Sequence, residues 1–311
     1  VFVGNAFGKL AGSTQVEELG TIETPILLTN TLGVGAALDG AVRWTLAQAG
    51  NDAVRSVNAL VGETNDGRLN DIRNQPVRPE HAIAAIERAA GGAVPEGNVG
   101  AGTGTVAFGW KGGIGTSSRR VAREAGGGTP RGPVTGRYRV TTWASPSRTR
   151  TAAGKSTTHR VWSRSNRRCG PRCRRPTWCW STAPGPTPHD ADGSCLIVVA
   201  TDAPLDARDL KRLAARAVFA LARTGSSYSN GSGDYAVAFS TASSLRVAHG
   251  AAAPAPRTLL PTDGLSPLFQ AVLEATEEAV YNALFQAETM SGNGATVEAL
   301  PLDRVRELLR R

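Results

Sequence analysis

The sequence predicts a mixed α/β protein, and three observations carry that prediction. Short apolar runs of strand length alternate with amphipathic runs of helix length, and a 41% hydrophobic content is enough for a substantial buried core. At 311 residues the chain could hold one large domain or two ordinary ones. No stretch approaches the roughly eighteen consecutive apolar residues of a membrane-spanning helix, and no secretory leader pattern opens the chain, so the expected compartment is the cytoplasm. The chain begins at Val1 rather than at a methionine, as though an upstream piece preceded it.

Taken in order, TPILLTN at 24–30 reads as a short buried strand, and LGVGAALDGAVRWTLAQAG after it as a helix ending near Gly50. Pro79 opens a second helix, PEHAIAAIERAA, at a position where a missing N–H costs nothing. A Gly-rich run at 97–115 passes through GAGTGT and GWKGGIGTSSR. CLIVVA at 195–200 has the continuous apolar character of a strand buried on both faces. In the helix that follows, Asp206 caps the start, Leu210, Leu213, Ala214, Ala217, Val218 and Leu221 form the inner stripe, and Gly225 closes the end. YAVAFS at 235–240 is the next strand. Ser266 and Pro267 start a long helix running to about Met290, and LDRVRELLRR supplies a short final one.

The net charge of +9 would ordinarily suggest an anionic partner, but it is not spread along the chain. Residues 125–189 hold thirteen Lys and Arg and no acid, which leaves the remainder with 22 basic and 26 acidic residues. The same stretch holds Cys169, Cys173 and Cys179 and four of the six tryptophans, yet no Leu, Ile, Phe or Met, so it is expected to form no conventional core and to be locally disordered. Three readings compete for it: a basic arm gripping phosphates, with Trp143, Trp162, Trp178 and Trp180 as stacking platforms; a metal knuckle on three thiolates that lack a standard paired spacing and a fourth ligand; or coding sequence read in a shifted frame, since GC-rich codons displaced by one base yield this composition.

Few motifs carry chemistry by themselves. GAGTGT lacks the GKS or GKT ending of a phosphate-binding loop, and no GxGxxG fingerprint opens a helix after a strand. His81, His159, His189 and His249 are scattered, which supports neither a metal centre nor a Ser-His-Asp triad. Gly193-Ser194 before a strand and SNGSGDYA at 229–236 are each compatible with ordinary turns. Glu63, in GETNDGRLNDI at 62–72, reads equally as a functional carboxylate or an exposed loop acid.

Taken together, the run DADGSCLIVVATDAPLDARDLKRLAARAVFALARTGSS and the following YSNGSGDYAVAFST resemble the C-terminal part of the L-aminopeptidase and D-alanine esterase-amidase family, which includes β-peptidyl aminopeptidases. GETNDGRLNDI, EGNVGAGTGT and GWKGGIGTSSR match family landmarks in the same order. The resemblance covers residues 1–124 and 190–311. It implies a four-layer αββα sandwich of the N-terminal-nucleophile type, a homotetramer of processed subunits, and no cofactor. It also implies self-cleavage between Gly193 and Ser194, so that Ser194 becomes a new N-terminus supplying both a nucleophilic hydroxyl and an amine base.

On the same basis Ser232 and Asp234 lie beside the nucleophile, and Glu63 meets the free amino group of the substrate. Asn65 stands where several relatives carry an aromatic residue. Relatives also use an asparagine in the 125–189 interval to stabilise the oxyanion; Asn166 is the only one there, and its surroundings do not match. The implied activity is hydrolysis of N-terminal amide or ester bonds in short peptides and amino-acid amides or esters, with no specific nucleic acid and no membrane partner. The alternative is a catalytically inactive product of a disrupted gene whose basic segment binds anions non-specifically.

Overall fold

The computed structural model describes residues 1–121, 136–144 and 194–310, the middle stretch by its backbone alone. In chain order the first elements are β1 (Phe2–Ala6), β2 (Leu10–Ala11), α1 (Ser13–Leu19), β3 (Ile26–Asn30), α2 (Val34–Leu46), β4 (Leu60–Thr64) and α3 (Pro79–Glu87). The glycine-rich region gives β5 (Val106–Ala107), β6 (Trp110–Lys111) and the long β7 (Gly113–Val121), followed by β8 (Gly136–Ala144). Then come β9 (Cys195–Thr201), α4 (Ala207–Arg223), β10 (Gly233–Ser240), α5 (Ser266–Phe285), a hairpin of β11 (Met290–Gly292) and β12 (Ala295–Val297), and α6 (Leu302–Leu309).

Two sheets stack between two pairs of helices. The larger has the order β1-β10-β9-β8-β7, with β9 and β10 parallel and the other neighbours antiparallel; the smaller has the order β2-β4-β3. Alternation along the strands assigns each face its core. Cys195, Ile197, Val199, Ala236 and Ala238 pack towards α4 and α5, with Leu213, Val218, Leu221, Val272 and Val280 opposite them. Leu196, Tyr235 and Val237 face the other way and meet Leu10 and Leu60 of the small sheet. The outer face of that sheet carries Leu27 and Val61 against Ala37 and Ala41 of α2 and Ala82 of α3. The result is the αββα sandwich that the sequence resemblance implied.

Local chemistry explains most boundaries. Asp206 caps α4 by accepting the Asp209 N–H at 2.8 Å, and Gly225 follows with φ 93°. Helix α2 stops at Leu46, short of Gly50, because Asn51 Nδ2 donates to the Thr45 carbonyl at 2.6 Å and turns the chain away. Helix α5 stops at Phe285 rather than near Met290. There Asn98 pulls the chain off the axis, donating to Glu288 O at 2.8 Å and accepting from Glu288 N at 3.2 Å.

The glycines of β7 permit close packing: a Cβ on Gly115 would lie 1.8 Å from Ala279 O of α5, and one on Gly113 would lie 2.1 Å from Gly97 O. The strand β8 corrects, for residues 136–144, the expectation that 125–189 is locally disordered. Gly136–Ala144 pairs with β7 over its full length and with β9 from Tyr138 to Ala144, because the Arg-, Thr- and Val-containing run GRYRVTTWA still has the alternation a strand needs. The remainder of that interval, with its three cysteines, lies outside the described residues. Among the described residues no helix is long and apolar enough to cross a membrane.

Gly115→Val should drive its side chain into the α5 backbone. We expect a loss of at least about 1–3 kcal/mol in urea unfolding, with reduced yield of folded protein.

Candidate active site

The parallel register of β9 and β10, Cys195 against Asp234, sets Ser194 beside Gly233 at the start of both strands. Ser194 is buried, and its Oγ accepts the Gly233 backbone N–H at 3.1 Å. A fixed N–H donor at this oxygen favours the negative charge that develops on a serine nucleophile. Gly193, the other half of the expected cleavage site, lies outside the described residues.

Ser232 and Asp234 flank Gly233, and both are fully buried. Neither the Ser232 hydroxyl nor either carboxylate oxygen of Asp234 closes a hydrogen bond among the described residues. Burial pushes the Asp234 pKa up to about 6, while the neighbouring Ser232 hydroxyl and Cys195 N–H pull it partly back. Orphaned buried polar atoms are costly, so three of them at one strand end mark a place prepared for a further polar group. The turn that carries them is clamped by Asn5 of β1, whose Nδ2 donates to Ser229 O at 2.7 Å and also to Ser232 O. No sequence pattern pointed to Asn5.

The small sheet supplies Glu63. It is 2% exposed, at the end of β4, which settles against an exposed loop acid. Its Oε1 accepts the Lys9 backbone N–H at 2.8 Å, and the Lys9 ammonium stands 3.9 Å from the same oxygen. Burial raises its pKa, with the Lys9 N–H and Lys9 charge opposing. Strand β4 approaches the large sheet at Gly62, where a Cβ would lie 2.1 Å from Leu196 Cδ2, two residues past Ser194. Glycines at 8 and 233 permit close approach between the sheets: a Cβ on Gly8 would press on Glu63 Oε1, and a Cβ on either would press on the Tyr235 ring. Sequence reasoning also missed Gly8 and Tyr235, since their role depends on contact between sheets.

Two features stand apart. Lys111 is fully buried; its Nζ donates to Gly102 O at 3.0 Å and Gly112 O at 2.6 Å, and burial lowers its pKa to about 8. It staples the glycine-rich loop to the start of β7. A cavity of about 470 Å³ between β3 and the α2–α3 pair is lined by Leu27, Asp66, Val77 and His81 among others, and none of the predicted site residues lines it. Asn65 is exposed. Among the described residues no three His, Cys, Asp or Glu side chains are grouped to hold a metal.

A serine at the head of an inner strand, set between two stacked sheets with helices outside them, defines the N-terminal-nucleophile hydrolase class. Residues 1–297 match the model of peptidase family S58. The chain belongs to that family and is a serine aminopeptidase. It is 39% identical over 311 residues to a β-peptidyl aminopeptidase of Sphingosinicella microcystinivorans, covering 99% of this chain and 74% of that one. It superposes with a TM-score of 0.79 on the PH0078 protein from Pyrococcus horikoshii OT3 at 38% identity, covering 100% of this chain and 79% of that one. The same TM-score relates it to the L-aminopeptidase D-Ala-esterase/amidase of Ochrobactrum anthropi, described as a variant of the Ntn hydrolase fold, at 30% identity over 99% of this chain and 79% of that one.

The raised pKa of Asp234 makes a signed prediction. The folded chain holds this proton more tightly than the unfolded chain, whose ordinary value is 3.8. The stabilisation is therefore complete below about pH 4 and is lost as pH rises through about 6. Asp234→Asn should remove this dependence and leave the protein up to about 3 kcal/mol more stable at pH 7.5 than the parent. Urea unfolding of both chains at pH 4.5 and 7.5 measures it.

Proposed function

We propose that Ser194 is the nucleophile of this aminopeptidase, and that it becomes competent when the chain cleaves itself between Gly193 and Ser194. The observation that carries the reading is the Ser194 hydroxyl held by the Gly233 N–H at the head of β9, next to buried and unpartnered Ser232 and Asp234. In the intact chain the hydroxyl attacks the preceding carbonyl, the peptide nitrogen leaves as the α-amine, and water hydrolyses the resulting ester. This frees the Gly193 carboxylate and the Ser194 amine.

The free amine then serves as the base. It takes the proton from Oγ as Oγ attacks the substrate carbonyl and returns it to the leaving amine, and water resolves the acyl-enzyme. Asp234, once ionised, stabilises the ammonium formed in the first half of this cycle, and Ser232 supplies a hydroxyl to the same charge. Glu63 receives the free amino group of the substrate. Its shielded carboxylate already attracts the Lys9 ammonium, so a substrate ammonium meets a site with the right sign of charge.

The substrates are short peptides and amino-acid amides or esters. The named activities of the relatives, β-peptidyl aminopeptidase and L-aminopeptidase D-Ala-esterase/amidase, support that class. Assembly as a homotetramer goes with the family resemblance and is checked by light scattering coupled to size exclusion.

Intact-mass measurement should give two fragments meeting at 193 and 194 in the parent and a single chain in Ser194→Ala. A single chain in both would overturn the reading. Glu63→Gln should still self-cleave, because Glu63 acts on the incoming substrate, but should lose about 10- to 100-fold in kcat/KM on alanine amide.

A further inference from the structure

The space between nucleophile and ammonium-binding carboxylate is bounded by a side chain with no role so far. Tyr235 follows Asp234 on β10 and, by strand alternation, points to the opposite face, into the gap between the sheets. A Cβ placed on Gly8 would lie 2.8 Å from Glu63 Oε1 and 3.3 Å from the Tyr235 hydroxyl, so both oxygens stand close to the same side of Gly8. A Cβ on Gly233, whose N–H holds the Ser194 hydroxyl, would lie 2.9 Å from Tyr235 Cε2. Tyr235 thus borders both Gly8 and Gly233 with the ring edge that carries Cε2 and the hydroxyl. Its ring is buried, and no hydrogen bond joins its hydroxyl to another described residue. Burial together with the charges of Glu63 and Asp234 raises its pKa to about 12, which keeps the hydroxyl protonated and its lone pairs available at neutral pH.

We infer that Tyr235 positions the substrate: its hydroxyl is a second acceptor, beside Glu63, for the substrate's ammonium, and its ring fixes how far that ammonium lies from the carbonyl attacked by Ser194. An ammonium has three donors, and Glu63 Oε1 is already shared with the Lys9 N–H, so a neutral oxygen alongside completes its hydrogen bonding without adding charge. The ring is a rigid spacer with few rotamers to lose. This inference rests on the assignment of Glu63 to the substrate amine.

The test separates the two by reading binding without turnover. Calorimetric titration of the full-length Ser194→Ala chain with alanine amide, and with N-acetylalanine amide as the ligand lacking an ammonium, is compared with the same chain carrying Tyr235→Phe. The expected result is an affinity for alanine amide about 10- to 100-fold weaker in Tyr235→Phe, with the acetylated ligand unaffected. Gly8→Ala, which puts a methyl against both oxygens and leaves the phenol in place, should reproduce that loss. Unchanged affinity for alanine amide overturns the inference. So does equal weakening of both ligands, which would mark a packing role, and so does no binding of alanine amide to the Ser194→Ala chain. Failure of the Ser194 chain to process or turn over, with Tyr235-dependent binding intact, would overturn the catalytic reading and leave the ammonium site standing.

Discussion

The parallel pairing of β9 with β10 is the constraint on which the rest depends. A parallel ladder fixes one register along seven residue pairs, from Asp234 against Cys195 to Ser240 against Thr201. A slip of β10 by one residue would turn Tyr235 towards the helices and Asp234 towards the small sheet. Because both faces are buried, the hydrophobic cost of that slip is large, and the register is secured far from the site by Val199, Val237 and their neighbours. The hydroxyl of Ser194 and the N–H of Gly233 meet because two apolar strands have no other way to fit.

That arrangement also concentrates cost at one end of the sheet. Three buried polar atoms of Ser232 and Asp234 have no partner among the described residues, and Asn5 satisfies the backbone of the turn rather than those side chains. Across the gap, Glu63 is buried and held by the Lys9 N–H, with the Lys9 ammonium 3.9 Å away. A protein optimised only for stability would replace such groups with apolar ones. Ser232 and Asp234 supply three of the six buried side-chain polar atoms that lack a partner among the described residues, and their grouping at one strand end is the physical signature of a site kept ready for charge that arrives with chemistry or with substrate.

Much of this was legible in the sequence where local rules decide. The Asp206 cap, Pro79 at a helix start, the apolar runs of β3, β9 and β10 and the inner stripe of α4 follow from periodicity and end chemistry. The proposed site residues Ser194, Ser232, Asp234 and Glu63 were visible only through resemblance, since a Gly-Ser pair and a turn acid have no periodic signal of their own. What stayed hidden depends on contacts distant in the chain. β1 is short and largely exposed, β7 is disguised by glycines whose purpose is the approach of α5, and β8 sits in a composition that argues against a core. Gly8 and Tyr235 gain meaning only once the two sheets are stacked.

The order of strands in the large sheet has a consequence for the integrity of the molecule. Strands β9 and β10 lie side by side at its centre, and they are flanked by β1 on one side and by β8 and β7 on the other, all three from earlier in the chain. A break just ahead of β9 would therefore not create two bodies that drift apart. It would leave one sheet woven from two polypeptides, each lacking neighbours without the other, with every ladder hydrogen bond intact. Such pieces travel through purification as a single particle, and only a denaturant that dissolves the sheet itself would show that the backbone had ever been cut.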